Sequence, residues 1–265
     1  MGGKGGPKRM SRLYILIVPK GLGWFLLGAM GVVLLLSLYH HYPLGLHALS
    51  LIHQDIVYDI MLDPGHGGID SGAIGKGEIY EKDYVLDIVL QMAEILRSEG
   101  LVVGLTRETD RDVSHLVNEG TRHRRDLLGR FKLMNQAQLG ISVHANAAKD
   151  SSEAGAIVFF MKDSYLDQIY AQLVLEELEK VQVLNERAPI PRSTLLLLKA
   201  RPPVVLVEVG FMSNPTDLAK LGDPQFRAAV ASALCQGILK FWEWRHGEQS
   251  EASPKQSQQL LDDGV

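Results

Sequence analysis

The run Met61-Leu-Asp-Pro-Gly-His-Gly-Gly68 constrains this chain more than any other stretch. The apolar residues of 57–62 read as a buried strand, Pro64 stops it, and Gly65, Gly67 and Gly68 give the turn a backbone freedom that other residues lack. His66 is thereby presented at the C-terminal end of a strand, where sites in open α/β sheets form. Two further strand ends carry groups of the same chemical kind. Ile141-Ser-Val-His-Ala-Asn146 presents His144, and Val204-Val-Leu-Val-Glu-Val-Gly210 presents Glu208. Two imidazoles and a carboxylate at strand tips point to a metal site.

Strand and helix patterns alternate along the rest of the chain. Val85, Ile88, Val89, Met92, Ile95 and Leu96 recur at helical spacing over 80–99, and Gly100 ends that helix. The pattern then predicts a strand over 101–106, a helix over 122–138 and strands over 140–144 and 154–161. A helix over 164–183 with Ser164 as its N-cap follows, then short strands over 194–199 and 204–209 and a last amphipathic helix over 224–244. The expected fold is α/β: a single domain with a mostly parallel or mixed sheet of about six strands flanked by helices. No internal repeat and no second globular unit is visible.

Charge divides the chain sharply. Lys4, Lys8, Arg9, Arg12 and Lys20 precede the first acidic residue, Asp55, and no formal charge lies between Lys20 and Asp55. Within that gap 22–38 is almost wholly apolar, and the stretch to Tyr42 supplies the ~20 residues a membrane-crossing helix needs. The expected organisation is therefore a basic cytoplasmic N-terminus (1–20), a transmembrane signal anchor (21–42), a linker (43–54), a catalytic domain (55–246) and a polar, disordered tail (247–265). By the positive-inside rule this is a single-pass protein of the cell membrane with its catalytic domain extracytoplasmic. A cleaved signal peptide is the competing reading; it would release the domain, with Ala48 as a poor cleavage site.

At 265 residues and 46% hydrophobic content the chain can bury one sizeable core. Its lone cysteine, Cys235, excludes an internal disulfide, so an exported domain must rely on that core or on a bound metal. The basic residues form no aromatic-interleaved patch, which argues against nucleic acid as a partner. Arg122, Arg124, Arg125, Arg130 and Lys132 read as a solvated helix face in preference to the alternative, attraction to an anionic polymer.

Zinc hydrolases hold their metal with three side chains and leave a fourth position for water. His66 and His144 supply two. For the third, Gly77-Glu-Ile-Tyr-Glu-Lys-Asp83 offers Glu78, Glu81 and Asp83 at a helix start, where carboxylates also match the helix dipole; spacing does not choose among them. Glu208 sits in a run of valines and leucine that carries it into a dry setting, where desolvation raises its pKa toward that of a general base. The alternative for Glu208 is a buried carboxylate tied to Arg201. His40, His41, His47, His53, His115, His123 and His246 read as structural.

These residues resemble the zinc-dependent N-acetylmuramoyl-L-alanine amidases of the type 3 fold. The resemblance runs from Val57 to Trp242. It is carried by Leu62-Asp-Pro-Gly-His-Gly-Gly68 with Asp70, Gly72 and Ala73, then Glu81-Lys-Asp83, Thr106-Arg107 with Asp110, and Arg130 with Asn135. Ser142-Val-His-Ala-Asn146 and Val207-Glu-Val-Gly-Phe-Met-Ser-Asn214 complete it. It implies one Zn2+ held by His66, Glu81 and His144, Glu208 as the catalytic glutamate, and Asn146, Arg201 and Asn214 as weaker substrate or supporting contacts. The implied substrate is peptidoglycan, glycan strands with stem peptides, cut between the lactyl group of N-acetylmuramic acid and L-alanine. Some family members carry a helix that blocks the site until an activator binds; here the 64 positions from His144 to Glu208 are filled by strand and helix patterns, which argues against one. An anchor with a bare catalytic domain is similar to the germination-specific, spore-cortex branch. That likeness implies muramic δ-lactam formation with a deacetylase or activator as partner. A vegetative wall amidase and a catalytically silent wall-binding scaffold are the alternatives.

Overall fold

The computed structural model describes residues 57–262, together with the isolated positions 30 and 37, and side chains through residue 247. The basic segment, the apolar span and the linker expected within 1–54 lie outside the described residues. Among the described residues no helix is long and apolar enough to cross a membrane. The chain divides into two compact units, Met1–Gln54 and Asp55–Val265.

In chain order the elements of the second unit are β1 (Tyr58–Pro64), β2 (Ile74–Gly75), β3 (Ile79–Tyr80), α1 (Glu81–Ser98), β4 (Val103–Leu105), α2 (Arg122–Met134) and β5 (Ala137–Asn146). β6 (Ile157–Met161), α3 (Tyr165–Glu179), β7 (Ile190–Arg192), β8 (Val204–Phe211), α4 (Pro215–Gly222) and α5 (Pro224–Asp262) follow. Six strands form one sheet in the order β4-β1-β5-β8-β6-β7, and β2 pairs with β3 in a small hairpin. All neighbours in the large sheet are parallel except β6 and β8, so the sheet is mixed, as the sequence predicts. β1, β5 and β8 are adjacent and parallel, and their C-terminal ends therefore meet at one pole.

Strand alternation sorts the side chains between two layers. Ile60, Leu62, Leu139, Ile141, Val143, Val205 and Val207 face α1, α3 and α5 in the larger core. Met61, Ala137, Val204 and Leu206 face the other way, against Met134 of α2 and a 3-10 turn at Leu197–Lys199. The α1 stripe of Val85, Ile88, Val89, Met92 and Leu96 is fully buried. Each such side chain contributes about 1.5–3 kcal/mol by leaving water.

Several boundaries differ from expectation for definable reasons. The 194–199 run is not a strand: Leu197 and Leu198 bury themselves through the 3-10 turn, and β7 forms earlier, at Ile190–Arg192. A short apolar run does not declare its period, and Pro191 is tolerated because β7 is an edge strand. Helix α2 stops at Met134, where Asn135 caps it, and Ala137 already belongs to β5. Helix α4 adds to the expected elements, and Asn214-Pro215 with Asp217 is its capping signature. Helix α5 does not end near Trp244; its backbone continues to Asp262, through Gly247 and Pro254. Ser164 does cap α3, its hydroxyl accepting from the Asp167 amide.

Candidate metal centre

Three elements converge at the pole where β1, β5 and β8 end. His66 follows β1, Glu81 opens α1, and His144 lies near the end of β5. His66 Nε2 is 3.1 Å from His144 Nδ1 and 3.2 Å from Glu81 Oε1, and His144 Nδ1 is 3.0 Å from Glu81 Oε1. Ligands about 2.0–2.1 Å from a tetrahedral ion stand about 3.3 Å apart, so this triangle fits one small divalent cation. These three are the group among the described residues whose donor atoms converge in this way. Glu78, left open by spacing, is exposed and takes no part, and Asp83 is exposed as well.

The surrounding backbone is shaped around these three side chains. His66 itself has φ 60°, a left-handed conformation that turns its ring back over the strand end. A β-carbon at Gly72 would stand 2.5 Å from Glu81 Oε2 and 2.7 Å from His66 Cδ2. The Glu81 carboxylate is fixed from both sides, accepting from Ala73 N at 2.7 Å and Ala145 N at 2.9 Å. Burial would raise its pKa, but hydrogen bonds and charge from His144 and His66 hold it well below the ordinary range. For His66, burial would lower the pKa, and Glu81 and Asp70 reverse that and leave it raised.

Asp70 has a positioning part that sequence reasoning does not isolate. Its Oδ1 lies 3.1 Å from His66 Nδ1. An ionised carboxylate only accepts, so Asp70 favours a proton on Nδ1, and a metal taking the place of any proton on Nε2 would find that nitrogen's lone pair directed at it. An aspartate four residues after a candidate ligand is the signal that could have found it.

Beneath the glycine turn lies a polar network that is almost wholly buried. Asp63 accepts from Thr106 Oγ1 at 2.5 Å, Ser142 Oγ at 2.6 Å and Arg130 Nη1 at 2.7 Å. Burial would raise the Asp63 pKa, but the Arg130 charge and the two hydroxyls hold it down. Arg130 also donates to Pro64 O at 2.7 Å and to His66 O. Arg107 donates to Pro64 O, Gly65 O and Lys82 O at 3.0, 2.8 and 2.9 Å, and burial followed by the Arg130 charge lowers its pKa to about 10. Arg130 is thus not on the solvated face expected of it; Asp126, Arg130 and Met134, four apart, form the inward side of α2.

Glu208 is the registered neighbour of His144 on the adjacent parallel strand, so the two side chains leave the same face of the sheet side by side. Its Oε2 is buried without a hydrogen-bond partner. Burial, reinforced by the Glu81 charge and opposed by His144 and His66, pushes its pKa up to about 7. Arg201 is not its partner. Arg201 precedes β8 at the opposite pole, where its backbone and side chain bond Asn135. Asn214 is likewise engaged elsewhere: Oδ1 caps α4 through Thr216 N and Asp217 N, and Nδ2 donates to Ser151 O. Asn146 ends β5 beside the site, its Oδ1 accepting from Ala147 N. Of the three weaker candidates, Asn146 ends a strand at the pole of the ligand triangle, while Arg201 and Asn214 are held by the contacts above. The helix between His144 and Glu208, α3, packs into the core against α5 and does not cover the site.

A carboxylate kept near neutrality beside a two-imidazole, one-carboxylate ligand set on an α/β sheet has the composition of a metal-assisted hydrolase. Residues 60–240 match the profile of the type 3 N-acetylmuramoyl-L-alanine amidases, and the chain belongs to that family. It is 35% identical over 188 residues to the germination-specific N-acetylmuramoyl-L-alanine amidase of Bacillus subtilis, covering 69% of this chain and 79% of that one. Against the amidase AmiA of Escherichia coli identity is 27% over 243 residues, 74% of this chain and 80% of the other. The CwlD amidase of Clostridioides difficile, solved in complex with the GerS lipoprotein, superposes with a TM-score of 0.64 at 36% identity, over 69% of this chain and 98% of that one.

Proposed function

We propose that this amidase is a zinc enzyme of the spore cortex, tethered to the cell membrane, that cuts the amide between N-acetylmuramic acid and L-alanine. The observation that carries the chemistry is the partnerless, buried Glu208 oxygen next to the ligand triangle. His66 Nε2, His144 Nδ1 and Glu81 Oε1 would hold one Zn2+. Bound there, the ion would polarise the scissile carbonyl and acidify water.

The chain's own residues do the rest. Glu208, whose pKa burial raises to about 7 in the metal-free chain, removes the proton of the attacking water. It returns that proton to the alanine nitrogen as the carbon–nitrogen bond breaks, leaving a lactyl carboxylate and a free amine. Asp70 keeps the His66 proton on Nδ1, and Arg107 and Arg130 hold the turn carbonyls so that the imidazole keeps its direction. Asn146 stands at the rim to contact the incoming chain.

The germination-specific relative supports the cortex assignment, in which freed muramic acid becomes the δ-lactam through a deacetylase. The lipoprotein complex of the CwlD amidase supports a protein partner for this chain too. The membrane assignment rests on the apolar, uncharged stretch 22–38 behind five basic residues.

Full-length protein incubated with peptidoglycan should release new N-terminal L-alanine, stop with chelator, and resume with Zn2+. Protein that binds Zn2+ and the wall but frees no L-alanine would instead be a silent scaffold. Deleting the gene in its sporulating host should remove muramic δ-lactam from the cortex; unchanged lactam would assign the enzyme to the vegetative wall.

A further inference from the structure

Glu208 shares its face of the sheet with a cation two strands away. Registered partners on neighbouring strands leave the same face, and Ile157 and Phe159 of β6 are registered with Glu208 and Leu206 of β8. β7 continues that face, with Ile190 beside Phe159 and Arg192 beside Met161. The other face, with Val158, Phe160, Val205 and Val207, is sealed in the larger core. The face that bears Glu208 is more open toward β7: Phe159 is half-buried, and Arg192, Ser193 and Thr194 are exposed.

The guanidinium carbon of Arg192 lies 4.9 Å from the centroid of the Phe159 ring. Because β6 begins beside Glu208, Phe159 is two positions closer to the catalytic pole than Met161, the registered neighbour of Arg192. Glu208 and Phe159 are diagonal neighbours, about 7–8 Å apart across the strand pair. Nη1 of Arg192 donates to Pro191 O at 3.3 Å, and among the described residues no carboxylate forms an ion pair with it. Seated on an aromatic ring, the planar fork is held in one orientation while its edge stays available to an anion.

An uncrosslinked stem peptide ends in a carboxylate whatever its composition, and each acidic residue in it adds another. Three or four residues of extended chain span about 10–14 Å, so a carboxylate borne a few residues beyond the cut bond reaches the fork while the bond itself lies at Glu208. We propose that Arg192, stacked on Phe159, is a specificity-determining residue that binds a free carboxylate of the stem peptide and so selects peptides that are not amidated there. The inference rests on the amidase reading of Glu208 and the ligand triangle given above. A guanidinium meets a carboxylate through two parallel hydrogen bonds, a geometry that a carboxamide cannot match. Since the contact is made in the bound substrate as well as in the transition state, it acts on KM more than on kcat.

The test gives the full-length protein two soluble muropeptides that differ only in their peptide carboxyl groups, free in one and converted to carboxamides in the other. The free acid should be preferred about tenfold in kcat/KM, with the difference in KM. Arg192→Gln should bring the ratio close to one. Arg192→Lys should keep a smaller preference, because an ammonium lacks the fork. Arg192→Glu should reverse the preference toward the carboxamide, a result that misfolding does not produce. Lys162→Glu, an exposed change near the end of β7, should leave the ratio as in the parent. A preference that is missing in the parent, that survives Arg192→Gln, or that Lys162→Glu removes as completely would overturn the assignment to Arg192. Release of L-alanine from neither muropeptide would overturn the amidase reading, and this residue's role with it.

Discussion

The imidazole of His144 occupies the space that a side chain at position 65 would need: a β-carbon built on Gly65 would stand 2.3 Å from Cε1 of His144. Gly65 to alanine must therefore displace the His144 ring from His66 and Glu81. Since a shift of about 1 Å can cost about a hundredfold in rate, the variant should lose at least that much activity and most of its Zn2+. Metal analysis and amidase assays on one preparation check this, and full Zn2+ content in the variant would contradict it.

Removing a ligand should act through the metal. His66→Ala, His144→Ala and Glu81→Ala should each lower bound Zn2+ below stoichiometric and abolish L-alanine release, while far-ultraviolet circular dichroism stays that of the parent.

Glu208→Gln should separate binding from chemistry: Zn2+ is retained and kcat falls by about 10²–10⁴. The same substitution should change stability with pH in metal-free protein. The Glu208 pKa is about 7 in the folded chain against an ordinary 4.5, so folding disfavours the ionised form. That cost is absent below about pH 4.5, grows between about 4.5 and 7, and is complete above about 7. Glutamine should then stabilise by up to about 3 kcal/mol at pH 8 and by nothing at pH 4. Urea titrations at the two pH values measure the difference, and equal gains at both would refute the buried-carboxylate reading.

Asp70→Asn tests a residue that touches no substrate. With His66 Nδ1 facing an amide instead of a carboxylate, Zn2+ affinity should fall about 10–100-fold. Competition with a chromophoric chelator reads this directly. A purely structural aspartate would lower thermal stability without moving the metal affinity.

Arg130→Met leaves the Asp63 charge buried with only two hydroxyl donors and releases the carbonyls of Pro64 and His66. Breaking a buried pair in this way costs about 3–5 kcal/mol, so the unfolding midpoint should drop markedly. The paired change Asp63→Leu with Arg130→Met should recover part of that loss, because no lone charge remains.

Much of this is legible in one dimension. The apolar run Val204-Val-Leu-Val-Glu208 announces a buried strand that ends on a carboxylate, and the glycines around His66 announce a turn that presents a ring. Element type follows from such local patterns, and so do the three strand-tip groups. The run 194–199 misleads because an apolar stretch that short has the same composition in a strand and in a 3-10 turn. Arg201 precedes β8 and so lies at the opposite pole, whereas Asn214 follows β8 at the site's pole but spends its side chain on capping α4 and on Ser151 O, which sequence closeness to Glu208 does not reveal.

The sequence by itself determined the alternation of strands and helices, the position of the catalytic pole and the two histidines offered there, because backbone freedom and hydrophobic period are local properties. Only the tertiary structure decided that Glu81 and not Glu78 completes the triangle, that Asp70 lies against His66 Nδ1, and that Arg130 faces inward to bind Asp63. Those choices depend on the relative placement of α1, α2 and the ends of β1 and β5. Parallel strand register and helix packing create that placement between residues up to 79 positions apart, as in the Ser142–Asp63 hydrogen bond.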